Sequence, residues 1–236
     1  MNKILYLAPS GTGKSTSLRN LNPSATAIVN IDKKALPLRG WRSLYKTERD
    51  STGKVDWGLT NYIEVEDPHT VLKVLHAWEA QEWVKTIVID TITHMVTYDY
   101  MNNAIGKDFK AYQAMGKNFY NVIEFVRDSK KDIVVMGHID RKINEMGDVI
   151  WDIKVQGNMI KDLVPASYFT TVVVGEILRE KGKSPRYVVR TQGEGNDPAK
   201  SPAAFGPSEE VETALQLYEP NDVKLIMDKL DAFETI

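Results

Sequence analysis

The most constraining stretch of the chain is its start, where the apolar run Ile4-Leu5-Tyr6-Leu7 passes directly into Ala8-Pro9-Ser10-Gly11-Thr12-Gly13-Lys14-Ser15-Thr16. A polyphosphate carries several charges that must be met without bulky side chains in the way. A glycine-rich turn between a strand and a helix meets them with backbone N–H groups. Gly11 and Gly13 supply the turn, and Lys14 has the length to reach the terminal phosphates. The Ser15 hydroxyl is placed to ligate magnesium, and the helix N-terminus adds its partial positive charge. Ala8 stands where such loops usually begin with glycine, and it is small enough to keep the clearance. Strand, loop and helix in this order imply a site for a nucleoside triphosphate, read here as ATP with Mg2+, on an α/β fold.

A second signal fits the first. The run Thr86-Ile87-Val88-Ile89 ends in Asp90, which puts a carboxylate at the C-terminal tip of a buried strand, where an open α/β sheet presents its ligand. Beside a phosphate loop, such a carboxylate is expected to hold the magnesium.

The rest of the pattern alternates short strands with helical spacing, the signature of βαβ units and a mostly parallel sheet. Strands are expected at 27–32, ending in Asp32, at 62–65 on an edge, and at 132–138, ending in His138. Asp67-Pro68 opens a helix whose Val71, Leu72, Leu75 and Trp78 recur at three- and four-residue spacing. Residues 36–58 read as a long loop. Residues 91–118 read as a polar, aromatic segment broken at Gly106 and Gly116, before a helix through Phe119, Ile123 and Val126. Beyond His138 the pattern turns antiparallel, with strands at 149–155, 170–178 and 187–191, a short helix at 159–164 and a loop over 192–207. Val223, Ile226, Met227, Leu230 and Phe233 mark an acidic, amphipathic final helix. The expected division is a core over residues 1–205 and an acidic helical tail over 206–236, packed on the core or extending from it.

Composition narrows the classes further. The 236 residues, 42% hydrophobic and 26% charged, have the balance of an ordinary globular chain. A net charge of −2 gives no global attraction for nucleic acid, so any such contact must come from local basic segments. With no cysteine, thiolate-held zinc is excluded, and the four histidines lack metal-ligand spacing. A strand beginning almost at Met1 leaves no room for a signal peptide, and no apolar run approaches the roughly 18 residues of a membrane span. A cytoplasmic location is expected, the host cytoplasm if the chain is phage-encoded, with no membrane partner.

The order of these features, with Asp90-Thr91 closing the apolar strand and His138 closing the next, resembles that of the RecA-like ATPases over residues 1 to about 205. With the run Asp197-Pro198-Ala199-Lys200-Ser201, the chain is most similar to the short phage Sak-type single-strand-annealing ATPases. The resemblance implies a RecA-like P-loop NTPase core, with a mostly parallel central sheet and a C-terminal antiparallel extension. It also implies magnesium-dependent ATP hydrolysis, self-assembly as a ring or filament on single-stranded DNA, and a role in recombination or annealing beside a single-strand-binding protein. Carried over by position, His138 is the polar sensor of the terminal phosphate. The water-activating glutamate of such ATPases is missing, because the chain reads Asp32-Lys33-Lys34. Asp32 or another carboxylate then orients the water, or binding without turnover is the function. A basic residue from a neighbouring subunit is expected to stabilise transition-state charge, with Lys200 first and Arg190 second. Contacts to DNA are expected in the loops after Asp90 and His138. The first offers Lys107, Lys110 and Lys117 interleaved with Phe109 and Tyr112, the second Arg141 and Lys142. Two other readings stay open: a P-loop kinase for a nucleotide or metabolite, which lacks the usual arginine-rich lid here, and a non-catalytic, nucleotide-gated assembly factor.

Overall fold

The computed structural model describes residues 1–143, 147, 149–157, 160, 165–193, 195–204 and 212–235. Its strands are β1 (Lys3–Ala8), β2 (Thr26–Asn30), β3 (Tyr62–Glu64), β4 (Thr86–Asp90), β5 (Asp132–Ile143), β6 (Val149–Ile153), β7 (Thr171–Leu178), β8 (Arg186–Arg190) and β9 (Tyr218–Pro220). They form one sheet in the order β3-β2-β4-β5-β1-β7-β8-β9, with β6 paired to β5 alone. The run from β3 to β7 is parallel, and β8 and β9 add antiparallel strands at one edge. This is the RecA-like core with its antiparallel extension.

Continuous apolar runs make β1, β2 and β4 suitable for burial on both faces, and alternate side chains go to opposite sides. Leu5, Leu7, Ile87, Ile89, Ile133 and Val135 pack with Trp78, Phe119 and Ile123. Ile4, Tyr6, Ile28, Val88, Val134 and Met136 pack on the other face with Leu18, Val223, Ile226 and Leu230. The first layer is covered by α2 (Pro68–Glu79), α3 (Ile92–Asp99) and α4 (Phe109–Asp128). The second is covered by the 3-10 turn Ser15–Asn20 and the final helix α5 (Val223–Glu234), with α1 (Trp41–Leu44) nearby. Asp67 caps α2 by accepting from Thr70 N, with Pro68 in the first turn as the sequence suggested. Each large side chain buried in these layers contributes about 1.5–3 kcal/mol.

Several local expectations are corrected. Residues 91–118 are largely helical: α3 continues through a π-helical turn at Tyr100–Ala104, and α4 starts at Phe109 rather than near Phe119. The Asp108 side chain caps α4 by accepting from Ala111 N, and Gly116 is buried inside the helix rather than breaking it. The strand ending at His138 runs on to Ile143, so Arg141 and Lys142 are strand residues, opposite Trp151 and Ile150 of β6, rather than loop residues. Residues 36–58 are not uniformly irregular, since α1 and an Arg49–Val55 bridge lie among them. In the expected 192–207 loop, Lys200 forms a bridge with Val172. The strand β9 was not foreseen. Of the expected 159–164 helix only Ile160 falls within the described residues.

Register sets the stage for the site. Asn30 of β2 lies opposite Asp90 of β4, Asp90 opposite Met136 of β5, and Ala8 of β1 opposite His138. The ends of β1, β2 and β4 therefore lie level with one another and with Met136–His138 of β5, along the edge at which such sheets bind ligands.

Candidate nucleotide-binding site

A cleft of about 730 Å3 opens above these tips. Its lining includes the phosphate loop, through Ser10, Gly11, Gly13, Lys14, Ser15 and Thr16, together with Asp32, Lys34, Asp90 and His138. Arg19, Tyr187, Pro220 and Asn221 complete it with Pro37. Gly11 at φ +82 and Gly13 at φ +89 adopt the left-handed backbone that a side chain disfavours, so the loop turns where the sequence places its glycines. Thr12 Oγ1 donates to Pro9 O at 2.8 Å and braces the loop from within. Ala8 is fully buried at the end of β1, where a β-carbon on Gly175 would stand 2.9 Å from its own. Glycine at 175 leaves the space that the Ala8 methyl occupies.

Lys14 is buried. Its ammonium donates to Ala8 O at 2.9 Å and Pro9 O at 3.1 Å, and lies 3.3 Å from His138 Nδ1. Burial lowers its pKa to about 8, opposed by the charges of Asp90 and Asp32. These partners are carbonyls and an imidazole, so the ammonium retains charge for a polyphosphate to neutralise. One residue on, Ser15 Oγ donates to Asp90 Oδ2 at 2.7 Å. Asp90 is 3% exposed, and burial pushes its pKa up to about 6 against the opposing effect of the Ser15 hydrogen bond. A half-buried hydroxyl and a buried carboxylate beside the loop are the kind of oxygen donors that a magnesium ion prefers. Lys14, Ser15 and Asp90 thus fit a magnesium-bound triphosphate.

Behind them lies a second cluster. Asp32 Oδ1 accepts from Thr91 Oγ1 at 2.9 Å and stands 3.3 Å from His94 Nδ1. Ligand atoms of Asp32, His94 and His138 lie within 4.8 Å of one another. A cation among them would meet the ammonium of Lys14 beside His138, so the cluster suits hydrogen bonding better than metal binding. Burial and the Lys14 charge hold His138 down to about 4. Its ring is neutral at pH 7, and Nδ1 accepts from an ammonium that can only donate. The His138 backbone N–H is fixed by Thr93 Oγ1 at 2.9 Å.

The remaining sequence candidates lie elsewhere. Arg190 is buried, its Nε 2.7 Å from Glu176 Oε1 and its Nη1 2.7 Å from Asp197 Oδ2. Lys200 is exposed and outside the lining of its own cleft, with both backbone hydrogen bonds made to Val172. Lys107, Lys110, Lys117 and Phe109 are exposed at the start and along the face of α4.

Three contributors went unnoticed in the sequence. His94 had a signal: it lies in the first turn of the helix that starts two residues past Asp90, which keeps it close to that strand tip. Arg19 and Asn221 had none. Asn221 reaches Gly13 O with its side-chain amide across 208 positions of chain, and Arg19 donates to Asn221 O at 2.6 Å.

A family model described as an AAA domain, AAA_24, matches residues 1–203. Among solved structures, the flagellar accessory protein FlaH from Methanocaldococcus jannaschii is similar at 12% identity over 79% of this chain and 76% of that one. Its TM-score is 0.42, a likeness too loose to bear on function. A search of curated proteins found no match. Among the described residues, no helix is long and apolar enough to cross a membrane.

Proposed function

The chain belongs to the AAA domain family AAA_24, and from that premise we propose that it is a magnesium-dependent ATPase acting on single-stranded DNA in recombination or strand annealing. The observation that carries the nucleotide part is the Ser15 Oγ–Asp90 Oδ2 hydrogen bond at 2.7 Å, beside a Lys14 ammonium aimed along the same loop. The loop from Ala8 to Thr16 holds the phosphates with its backbone N–H groups and with Lys14. Ser15 and Asp90 hold the magnesium, which when bound supplies charge neutralisation at the phosphate oxygens. His138, neutral and hydrogen-bonded to Lys14, reads the terminal phosphate through the ammonium that the two would share. Asp32, anchored by Thr91 and His94 through one carboxylate oxygen, orients the attacking water.

The DNA part rests on the resemblance to Sak-type ATPases and on Lys107, Lys110 and Lys117, whose exposed cations beside the exposed Phe109 suit backbone tracking with base stacking. Self-assembly into a ring or filament, with a single-strand-binding protein nearby, belongs to the same proposal. The test is ATP turnover with and without single-stranded DNA, with Lys14→Ala as the blank. DNA-stimulated turnover supports it. A phosphorylated small acceptor would instead indicate a kinase, and binding without turnover a nucleotide-gated assembly factor.

A further inference from the structure

Lys34 lines the same cleft as Lys14, Asp90 and His138, yet the mechanism above gives it no role. The chain around it is built to put it there. Ile31 N donates to Asp90 O at 2.6 Å, which ties the turn to the strand tip that carries the magnesium-binding carboxylate. Lys33 is the one non-glycine among the described residues with positive φ, at +52, and its own ammonium is drawn away from the cleft by an ion pair with Glu66. A non-glycine residue held in this backbone region carries a cost that the surroundings must offset, and such residues cluster at functional sites. Asn30, buried beneath, donates from its side-chain amide to Lys34 O at 2.7 Å and to Tyr62 OH. Ile31 and Leu36 anchor the two ends of the turn in the core. The backbone of Lys34 is thus fixed while its side chain is 71% exposed, and its ammonium forms a long ion pair with Asp32, 3.9 Å from Oδ2 and without a hydrogen bond. Its charge is felt inside the site: after burial, which is the largest cause, Lys34 is among the groups that lower the pKa values of Lys14 and His138. The other cations in question are spoken for or distant. Arg190 is locked between Glu176 and Asp197, and Lys200 lies outside this subunit's cleft.

We propose that Lys34 stabilises transition-state charge in cis: the cation usually contributed by a neighbouring subunit is supplied by the same chain that binds the nucleotide. The inference rests on the nucleotide-hydrolysis reading of the site. In that reaction the water oxygen bonds to the terminal phosphorus and the bond from phosphorus to the bridging oxygen breaks. ADP and inorganic phosphate leave, and the water's proton passes to solvent. Negative charge grows on the bridging and terminal oxygens, where a lysine ammonium replaces charge stabilisation otherwise given by an arginine.

The experiment has three parts, all on the full chain. Lys34→Ala is expected to lower kcat about a hundredfold, with ADP–magnesium affinity, read by calorimetry, within about twofold of the unaltered protein and Lys34→Arg recovering part of the loss. Lys34→Ala mixed with Lys14→Ala is then expected to show no recovery, because no subunit in the mixture carries both lysines. Recovery on mixing would place the cation in trans and overturn the proposal, as would unchanged kcat in Lys34→Ala. If the unaltered protein fails to bind ADP–magnesium, the nucleotide reading falls and the role of Lys34 falls with it. If it binds and turns over ATP but Lys34→Ala does so equally, only the role of Lys34 is lost.

Discussion

The Asn221 side-chain amide donates to the Gly13 carbonyl oxygen at 2.9 Å, fastening the segment that leads into α5 to the phosphate loop. Tyr6 OH, from the buried strand β1, donates to Asn221 Oδ1 at 2.7 Å, and Arg19 Nη1 donates to the Asn221 carbonyl. A side chain at Gly13 would put its β-carbon 2.5 Å from Asn221 Nδ2, on backbone already at φ +89. The loop's shape therefore depends on a residue from the far end of the chain.

Asn221→Ala leaves the Tyr6 hydroxyl buried without its acceptor, at a cost of about 1–3 kcal/mol. Gly13→Ala combines a clash with left-handed strain of about 1–3 kcal/mol. Both are expected to lower the thermal midpoint and to weaken nucleotide binding together. A Gly13→Ala protein with unaltered midpoint and affinity would show that the loop does not need this clamp.

Arg190 is expected to be a structural residue. Its removal leaves Asp197, whose side chain is 1% exposed, without its guanidinium partner. Breaking a buried pair in this way costs about 3–5 kcal/mol, so Arg190→Ala should lose stability in denaturant titration. A variant of normal stability that has lost turnover only in the assembled state would instead return Arg190 to the role of an inter-subunit cation.

His138 is neutral, and its working atom is an acceptor facing Lys14 at 3.3 Å. Gln can accept in its place and Phe cannot, so His138→Phe should lose about tenfold or more in kcat, in the range of a lost transition-state hydrogen bond, while His138→Gln keeps the greater part. Steady-state turnover checks this, and equal loss in both variants would point to ring packing rather than to hydrogen bonding.

Lys107, Lys110 and Lys117 offer three exposed charges. Replacing all three with alanine should weaken single-stranded DNA binding and reduce the slope of log affinity against log salt by about two. An unchanged slope, read by fluorescence anisotropy across salt concentrations, would move the DNA path off α4.

Much of the centre of this site was legible because its signals are local. The phosphate loop is one uninterrupted stretch, and Asp90 ends an apolar run that burial on both faces requires, so Lys14, Ser15 and Asp90 follow from short-range pattern alone. The sheet's parallel core follows from the same alternation. What stayed hidden depends on distance or on compensation. Asn221, β9 and the Arg190–Glu176–Asp197 cluster come together only through the third dimension. Gly116 looked like a break, but the Asp108 cap and the apolar face of Met115, Phe119, Val122 and Val126 outweigh one glycine's propensity cost of about 1 kcal/mol. His94 was within reach of helical spacing, and its role beside Asp32 emerged only with the geometry.

The most direct measurement is calorimetric titration of a non-hydrolysable ATP analogue into the full chain, with and without magnesium, for the unaltered protein, Lys14→Ala and Asp90→Asn. The unaltered protein should bind at least about tenfold more tightly with magnesium, a difference of about 1.4 kcal/mol. Lys14→Ala should bind weakly in either condition, and Asp90→Asn should lose the magnesium dependence while staying folded. Equal binding by the unaltered protein and Lys14→Ala, or no effect of magnesium on the unaltered protein, would contradict a shared grip by Lys14, Ser15 and Asp90.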